Sequence, residues 1–492
     1  MRDELTLAAF IEGLGSTLGL SAAPRARGWY AQSLEAPVDP IIDSREAEPG
    51  SIFFAFEGER VDGHDFVADA FERGAVAAVV ERGVTLAQRV DTLDMTGPQL
   101  PTEPVTPPLL IRVPDVLTAL QGAARWWRRQ RDVRVLGITG SVGKTTTKEM
   151  VAQVLSKRYH VTHSQESYNN EIGLPLTLLR LTAECERVVL EMGMYVRGDI
   201  CFLTSIAQPD VGIVTNVAPV HAERAGTIDE IALGKRELVE ALPAAPDGVA
   251  VLNYDDERVR AMAAHTQARP FFYGVSAEAS AGADLWADEI ESLGLEGVRA
   301  VMHHLGEAHE VRTPLLGRHS IYPMLRAAAA GLVEGLGWAE IREALATPGE
   351  SLRLVPVAGP EGSLILDDTY NSSPPSAHAA LALLEELEGR KLAVLGDMLE
   401  LGTYEREGHL EVGCRAAEIV SELIVVGELG KMIAEGAKRC GLAAERIREA
   451  PDSEAAVDVV RSLIREGDVI LIKGSRGVQM EHIVEALRGG PS

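Results

Sequence analysis

The chain has 492 residues and a formal net charge of −26, because 47 Lys and Arg stand against 73 Asp and Glu. This length exceeds what one ordinary hydrophobic core supports and predicts roughly two to four domains. An apolar fraction of 46% and a charged fraction of 24% are typical of a soluble globular protein. The negative charge argues against nucleic acid or an anionic membrane as a partner.

Membrane and disulfide signals are weak. No run of about eighteen apolar residues occurs, so we expect no membrane span. The first residues, MRDEL, lack the basic start and apolar run of a signal peptide, so we expect a cytoplasmic protein. The cysteines have no metal-ligand spacing, and we expect buried thiols in a reducing compartment at Cys185, Cys201, Cys414 and Cys440.

The N-terminal part, residues 1–113, is predicted to form a small α/β domain. Its apolar runs at 51–56 and 75–80 are separated by glycines and charged turns, and a Pro-rich loop or linker follows over 96–108. A helical period then extends over 115–131. We interpret the basic residues of this helix as a solvated face rather than a binding patch; they are Arg125, Arg128, Arg129 and Arg131.

Two further α/β domains are predicted from the alternation of strand and helix patterns. Residues 114–347 are expected to form a mostly parallel sheet with helices, with strands near 133–138, 187–190, 211–214 and 248–252. Residues 348–492 are expected to form a Rossmann-like, doubly wound domain, with strands near 364–366, 391–395, 423–426 and 469–472. The last domain carries no G-x-G-x-x-G pattern, so we infer no dinucleotide.

A phosphate-binding turn is the most informative segment, and it reads GITGSVGKTTT over 137–147. Its glycines let backbone N–H groups converge on phosphate oxygens, and the following helix N-terminus adds its positive end. Lys144 can reach the β- and γ-phosphates, and the Thr145 hydroxyl can take a Mg²⁺ position. The predicted nucleotide contacts are Gly140, Ser141, Val142, Gly143, Lys144, Thr145 and Thr146.

The strict form of this motif requires glycine at position 138, where the chain has Ile138. We still predict a nucleoside triphosphate site, because a connecting turn would not explain the Lys-Thr-Thr run. ATP is favoured over GTP, since no Asn/Thr-Lys-x-Asp segment that would read guanine is present.

The shortened phosphate loop resembles that of the Mur ligases of peptidoglycan precursor synthesis, and the resemblance extends over nearly the whole chain. Residues 43–45 (DSR), 49–55 (PGSIFFA) and 62–64 (DGH) are similar to the uridine-nucleotide-binding domain of two members. These members add the third amino acid and the final dipeptide. The resemblance therefore implies a nucleotide-sugar-binding first domain, a P-loop second domain and a Rossmann-like third domain.

Later motifs resemble the dipeptide-adding members. They are NNEIGLP over 169–175, LDDTYN over 366–371, LGDMLELG over 395–402 and KGSRG over 473–477. The Asp-Asn-Pro-Arg motif of the third-residue ligases is absent. The alternatives are another carboxylate–amine ligase, such as a third-residue or folylpolyglutamate-synthase-like enzyme, and an ATP-driven switch that ligates nothing.

The resemblance implies an ATP-dependent carboxylate–amine ligase that joins D-alanyl-D-alanine to UDP-N-acetylmuramoyl-tripeptide through an acyl phosphate. ADP and phosphate are released, and the reaction serves cell-wall biogenesis, cell shape and cell division. We expect a monomer with ATP and Mg²⁺, as two ions, in its site. The identity of the third peptide residue stays open.

Site residues follow from the same resemblance. The implied catalytic residues are Lys144, Lys235, His221 and Arg353. The implied Mg²⁺ ligands are Thr145, Glu191 and His221. Five residues outside the phosphate loop are also implied to contact ATP; they are His319, Arg353, Asp368, Tyr370 and Asn371. The implied substrate-binding residues are Ser44, Arg45, Asn169 and Asn170.

Several roles stay open at the level of sequence. Lys235 is implied to be carbamylated, against the alternative of a surface lysine paired with Glu237 or Glu240. Lys473 and Arg476 bind substrate carboxylates or stabilise a turn. Asp397 and Glu400 either have a structural role or lie near the dipeptide.

The chain also departs from the family pattern. The His-Asn-x-x-Asn segment that contacts adenine reads HSIYP over 319–323, so both asparagines are missing. Pro323 is expected in the first turn of the following helix. Glu166 and Ser167 replace the usual Gly-Asn before Asn169.

Overall fold

The computed structural model describes residues 4–20, 32–58, 61–97, 105–165, 168–220, 222–347, 349 and 354–488. These residues form three β-sheets of five, nine and six strands with helices between the strands, which confirms the predicted α/β class. None of the helices in these ranges is long and apolar enough to cross a membrane.

The chain divides into two compact units. The first comprises Met1–Gly137, Tyr159–Gly193 and Cys201–Asp210, and the second comprises Ile138–Arg158, Met194–Ile200 and Val211–Ser492. The three domain ranges expected from the sequence, with boundaries near Val113 and Thr347, stay predictions.

The five-stranded sheet belongs to the N-terminal part. Its elements are α1 (Leu7–Thr17), β1 (Asp39–Ile41), β2 (Ser51–Phe54), α2 (Val67–Glu72), β3 (Ala77–Val80), β4 (Asp91–Asp94), β5 (Leu109–Arg112) and α3 (Val116–Arg129). The strand order is β1-β2-β3-β5-β4, and every pairing is parallel. Most of the predicted Pro-rich segment, residues 98–104, lies outside the described residues.

The middle part alternates strands and helices as the sequence predicts. Its first elements are β6 (Arg134–Thr139), α4 (Lys144–Leu155), β7 (Val161–His163), α5 (Gly173–Leu179), β8 (Arg187–Glu191), α6 (Asp199–Ala207), β9 (Val211–Val214), α7 (Ala222–Ala225) and α8 (Ile228–Glu240). Its later elements are β10 (Val249–Asn253), α9 (Glu257–Ala261), β11 (Arg269–Gly274), α10 (Ala279–Gly282), β12 (Leu285–Ser292), β13 (Val298–His304), β14 (Glu307–Thr313), α11 (Ile321–Val333) and α12 (Trp338–Ala346).

Within the second unit, the strands of this sheet follow the order β14-β13-β12-β11-β10-β9. Pairings from β9 to β12 are parallel, whereas β13 and β14 add an antiparallel extension. The extension was not predicted, although it carries a strand pattern: Val298, Ala300 and Met302 are buried at every second position. In the first unit, β7 and β8 pair in parallel.

The C-terminal part forms the six-stranded sheet. Its elements are β15 (Val355–Ala358), β16 (Leu364–Asp368), α13 (Pro374–Glu386), β17 (Lys391–Gly396), α14 (Glu405–Ile419), β18 (Glu422–Val426), α15 (Gly430–Arg439), β19 (Ile447–Ala450), α16 (Ser453–Leu463), β20 (Val469–Lys473) and α17 (Glu481–Leu487). The order is β15-β16-β20-β17-β18-β19, with only the β15 pairing antiparallel among the described strands.

Strand β18 shows why this sheet carries helices on both faces. Leu423 and Val425 pack into one hydrophobic cluster, and Ile424 and Val426 pack into another. Successive side chains of a strand point to opposite faces, so an uninterrupted apolar run needs cover on both sides. The doubly wound arrangement expected from the sequence follows from this burial.

The basic end of α3 corrects part of the expectation of a solvated face, because Arg129 is exposed but Arg128 and Arg131 are buried. The guanidinium of Arg128 is buried, and it donates to the carbonyls of Ala207 and Arg131 at 3.0 and 3.2 Å. Arg131 is also buried and stacks its guanidinium over the Trp127 ring, 3.8 Å from the centroid. The last carbonyls of a helix have no partner within the helix, and the Arg128 guanidinium donates hydrogen bonds to those at the end of α6.

The cysteines correct a second expectation, because only Cys185 is a buried thiol. Cys201 is exposed. Cys414 and Cys440 form a disulfide that joins α14 to α15. The separation of 26 residues gave no sequence signal for this pair, since the two helices bring them together only in the folded domain.

Candidate active site

The phosphate loop connects the end of β6 at Thr139 to the start of α4 at Lys144. Gly140 has φ +147°, and a Cβ at this position would lie 1.8 Å from the Thr215 Oγ1 atom. Gly143 is the N-cap of α4 in a left-handed conformation with φ +81°. Both glycines are therefore required by backbone geometry and close approach.

The segment after β9 holds this loop in place. Asn216 accepts hydrogen bonds from the loop amides, through its carbonyl from Ser141 N–H at 3.0 Å and through Oδ1 from Val142 N–H at 3.0 Å. The Ser141 hydroxyl donates to the Ala218 carbonyl at 2.8 Å, and Thr215 Oγ1 donates to the Val142 carbonyl at 2.8 Å. This supporting role was not predicted from the sequence.

Substituting Gly140 with alanine is expected to damage both stability and nucleotide binding. The new Cβ would collide with Thr215, so we expect a loss of about 1–3 kcal/mol in the free energy of unfolding. Urea unfolding and calorimetric titration with Mg–ADP measure the two effects. Gly83→Ala is the matched control, because a Cβ at Gly83 meets no atom within 4 Å. Wild-type behaviour of Gly140→Ala would contradict this assignment.

Two lysines lie in this part of the second unit. Lys144 Nζ donates to the carbonyls of Gly140 and Ser141 at 2.9 and 3.4 Å, so the loop itself holds the ammonium group. Lys235, on α8, is buried with 5% of its surface exposed. Burial and the nearby charge of Lys144 hold the pKa of Lys235 well below its ordinary value.

The alternative of a surface Lys235 paired with a neighbouring glutamate is therefore wrong. The Glu237 carboxylate accepts from Gly198 N–H at 2.9 Å, and Glu240 pairs with Arg236 at 2.7 Å. Both carboxylates thus have partners other than Lys235, and burial disfavours the charged form of its amine.

In the first unit, the structure brings together two predicted residues. Glu191 ends β8 with 3% of its surface exposed, and Asn169 Nδ2 donates to its Oε1 atom at 2.9 Å. The Asn169 carbonyl accepts from Gly193 N–H at 2.8 Å, which ties the loop before α5 to the residues that follow β8. An oriented, buried carboxylate is a suitable oxygen ligand for a divalent cation.

The other predicted substrate residues of the first unit make contacts with neighbouring protein groups or are buried. Asn170 Oδ1 accepts from the amides of Ile172 and Gly173 at 3.2 and 2.9 Å, at the start of α5. Ser44 is buried, whereas Arg45 is exposed and donates its Nε to both carboxylate oxygens of Asp43 at 2.9 and 3.0 Å. This contact lowers the pKa of Asp43.

The C-terminal sheet places Asp368 at the end of β16 beside Lys473 at the end of β20. Lys473 is buried and donates to Asp368 Oδ2 at 2.6 Å and to the Asn371 carbonyl at 2.8 Å. Of the two roles left open for Lys473, the geometry supports the stabilising one. Tyr370 is partly exposed, and the Arg476 guanidinium lies over its ring at 5.6 Å.

The segment before α11 bears on the missing asparagines. The Ser320 hydroxyl donates to the Leu316 carbonyl at 2.7 Å inside the protein, so it does not replace an adenine-reading amide. Pro323 lies in the first turn of α11, as predicted. The surrounding protein and the charge of Lys473 lower the pKa of His319 to about 4, although the side chain keeps access to solvent.

The segment 395–402 is held by buried polar contacts. Asp397 Oδ1 accepts from Gly430 N–H at 2.7 Å, and burial raises the pKa of this carboxyl. The Glu400 carbonyl accepts from Glu223 N–H at 3.2 Å, and a Cβ on Gly402 would lie 2.7 Å from the same nitrogen. Of the two roles left open for Asp397 and Glu400, these contacts support the structural one.

His409 supports this segment from α14. Its Nε2 atom accepts from Met398 N–H at 3.0 Å, and its Nδ1–H donates to the Glu405 carbonyl at 2.6 Å. These two bonds require the neutral imidazole, and burial lowers its pKa below the ordinary 6.5. The unfolded chain therefore binds a proton more readily below pH 6.5, so stability is lost as the pH falls from there.

Replacing His409 with glutamine is expected to cost about 1–3 kcal/mol of unfolding free energy at pH 7, because buried hydrogen bonds are lost. The decrease in stability between pH 7 and pH 5 should also become smaller than in the wild type. Urea unfolding at both pH values measures both effects. The exposed His482→Gln variant is the control, and an unchanged pH dependence in His409→Gln would contradict the prediction.

His221 and Arg353 lie outside the described residues, as do Glu166 and Ser167, and their roles stay predictions. Within the described part of the chain, no group of three or more His, Cys, Asp or Glu side chains is arranged to hold a metal ion. A cluster of three or more protein ligands is less typical of Mg²⁺ than of other metals, since Mg²⁺ keeps several waters and binds to substrate phosphates.

Comparisons with known proteins agree over most of the chain. Three family profiles match: Mur ligase family, catalytic domain, over residues 41–125; Mur ligase middle domain over 138–331; and Mur ligase, glutamate ligase domain, over 352–476. UDP-N-acetylmuramoyl-tripeptide–D-alanyl-D-alanine ligase of Bacillus subtilis (strain 168) is 33% identical over 453 residues, 91% of this chain and 93% of the relative. The Escherichia coli (strain K12) enzyme of that name is 33% identical over 93% and 95%.

Solved structures show the same fold. A crystal structure of MurF from Acinetobacter baumannii has a TM-score of 0.80 and 27% identity, covering 99% of this chain and 100% of that one. MurF ligase from Thermotoga maritima in complex with ADP has a TM-score of 0.74 and 27% identity, covering 91% and 96%.

Proposed function

Because the chain belongs to the Mur ligase family, we propose that it joins D-alanyl-D-alanine to the terminal carboxylate of UDP-N-acetylmuramoyl-tripeptide, at the cost of ATP. The observation that carries this proposal is the full-length similarity to relatives named for that reaction, together with a phosphate loop whose glycines are sterically required. The product serves peptidoglycan synthesis.

The nucleotide phosphates are assigned to the N-terminus of α4. Because Asn216 engages the amides of Ser141 and Val142, the amides from Gly143 to Thr146 are the ones assigned to phosphate oxygens. Lys144 then exchanges its contacts with loop carbonyls for the β- and γ-phosphates. The ADP complex of the Thermotoga maritima enzyme supports ATP as the nucleotide.

Magnesium is assigned to oxygen ligands. Thr145 and Glu191 are the proposed ligands, since each offers a hard oxygen atom of the kind that Mg²⁺ takes. When bound, Mg²⁺ would offset the negative charge of the phosphates. The presence of two ions, and His221 as a ligand of one, are proposals from the family resemblance.

Lys235 is proposed to carry a carbamate. A buried amine with a lowered pKa loses its proton more readily, and the neutral, nucleophilic form can add to CO₂ with loss of a proton. The resulting anion would face the cationic Lys144 instead of a second ammonium group, which converts a repulsion into an attraction.

The remaining site residues are assigned to the two nucleotide substrates. His319, Asp368, Tyr370, Asn371 and Arg353 are assigned to ATP, and Asp368 would then bind ribose while it stays paired with Lys473. Ser44, Arg45, Asn169 and Asn170 are assigned to the UDP-peptide.

The reaction balances in two steps. A carboxylate oxygen of the tripeptide attacks the γ-phosphorus, the bond to ADP breaks, and an acyl phosphate forms. The amine of D-alanyl-D-alanine then attacks the acyl carbon, phosphate leaves with that carboxylate oxygen, and the amine loses a proton. Two anions meet in the first step, so positioning and positive charge carry the catalysis. We propose a cytoplasmic monomer.

Phosphate release with UDP-N-acetylmuramoyl-tripeptide and ATP tests this function. We expect turnover only when D-alanyl-D-alanine is added. A parallel reaction offers the UDP-dipeptide with meso-diaminopimelate or lysine, the substrates of a third-residue ligase. Preference for that pair, or release that ignores every amine, would overturn the proposal in favour of the third-residue ligase or of the ATP-driven switch.

A further inference from the structure

A buried guanidinium lies beneath the phosphate loop, and its residue is not among those assigned to ATP, Mg²⁺ or the UDP-peptide. Arg326, on α11, has 3% of its surface exposed. Its Nη1 donates to Thr147 Oγ1 at 2.8 Å, and its Nε donates to the Tyr273 hydroxyl at 2.8 Å. Two well-formed hydrogen bonds from a planar fork fix both the position and the orientation of this cation.

The first bond leads to the helix end of the loop. The Thr147 hydroxyl donates in turn to the Gly143 carbonyl at 2.6 Å. A Cβ on Gly143 would lie 3.2 Å from Arg326 Nη1, so the guanidinium packs directly against the residue that caps α4. Arg326 therefore supports Gly143 both by direct packing and through the Thr147 hydroxyl.

The second bond leads to the other side of the loop. The Tyr273 hydroxyl lies 3.2 Å from the carbonyls of both Val214 and Thr215 at the end of β9. Thr215 in turn bonds the Val142 carbonyl. Arg326 thus reaches both halves of the loop through neutral hydroxyl groups.

Among the described residues no carboxylate is bonded to the Arg326 guanidinium, although Asp255 lies nearby and accepts from the Tyr322 hydroxyl at 3.2 Å. The polar contacts of this guanidinium are the two hydroxyl groups. A buried cation without a bonded anion is costly, unless an anion arrives with the ligand. The phosphates that the loop is assigned to bind would supply that negative charge.

We propose that Arg326 is a positioning residue for the nucleotide phosphates, which holds Gly143 in place and adds a permanent positive charge below the loop. The inference rests on the proposed function, and it extends that function to a residue outside the loop motif. The ligand class is a magnesium-bound nucleoside polyphosphate.

Calorimetric titration with Mg–ADP tests this role. We expect Arg326→Met to weaken Mg–ADP binding by about ten-fold to one hundred-fold, since a charge-assisted contact is lost. Arg326→Lys keeps the charge but cannot bond both hydroxyls in the same geometry, so we expect partial recovery. The KM for ATP should rise in parallel, whereas the KM for D-alanyl-D-alanine should not change.

Arg258→Met is the matched control, because Arg258 is an exposed arginine that pairs with Asp229 on the surface. Tyr273→Phe keeps the ring and removes one anchor, and it supplies a milder test if Arg326→Met fails to fold; we expect about a three-fold weaker affinity. If Arg326→Met folds, a Mg–ADP affinity within two-fold of wild type would overturn the inference. If Arg326→Met does not fold, the same result in both Arg326→Lys and Tyr273→Phe would overturn it. Wild-type protein that binds Mg–ADP but never ligates D-alanyl-D-alanine would overturn the proposed function alone.

Discussion

Lys144→Ala is expected to lower kcat for ligation by at least about a thousand-fold while the protein stays folded. The ammonium group is the one cation of the loop motif itself, and it neutralises phosphate charge while the carboxylate attacks. Its contacts in the structure are to loop carbonyls at 2.9 and 3.4 Å, so its removal leaves the glycine framework of the loop in place.

Phosphate release and urea unfolding measure the two parts of this prediction. Lys431→Ala is the matched control, since Lys431 is an exposed lysine that pairs with Glu428 at 2.7 Å on α15. Retained ligation in Lys144→Ala would mean that the phosphate loop is assigned wrongly. Loss of activity together with loss of the fold would assign Lys144 a structural role instead.

Lys235→Ala is expected to lower kcat by at least about a hundred-fold, because the buried carbamate and its negative charge are lost. Burial and the charge of Lys144 lower the pKa of Lys235, which favours the neutral amine, the form that adds CO₂. We therefore expect wild-type protein equilibrated with carbon-13 bicarbonate to show a carbamate signal by NMR that Lys235→Ala lacks.

Lys157→Ala is the control for this experiment, because Lys157 pairs with Glu343 at the surface and should keep both activity and signal. Acidification should reduce the signal, since protonation of the amine competes with its reaction with CO₂. A wild-type protein without the signal, but with full activity, would rule out the carbamate.

Local sequence patterns predicted the parts of the fold that depend on neighbouring residues. The strand at 423–426 was identified because its apolar run is uninterrupted, and the structure buries both of its faces. The phosphate loop was identified from seven consecutive residues, since the glycine spacing and the following helix are sufficient to specify that turn.

The missed features depend on contacts between residues distant in the sequence. Arg326 and Thr147 are 179 positions apart, and nothing in either local pattern indicates that they meet under the loop. Arg128 was interpreted as solvated because a basic helix end is typically exposed; its carbonyl acceptor at Ala207 lies 79 positions away. Lys473 and Asp368 are likewise joined only by the pairing of β16 with β20.

The fate of one oxygen atom tests the proposed reaction most directly. UDP-N-acetylmuramoyl-tripeptide labelled with oxygen-18 in its terminal carboxylate is allowed to react with ATP and D-alanyl-D-alanine. Mass spectrometry then measures the label in the released phosphate and in the UDP-linked peptide. We predict one labelled oxygen in each released phosphate, in equal amount to a UDP-linked pentapeptide that contains the dipeptide. Unlabelled phosphate, or labelled phosphate without the pentapeptide, would contradict a ligation that activates this carboxylate and captures it with D-alanyl-D-alanine.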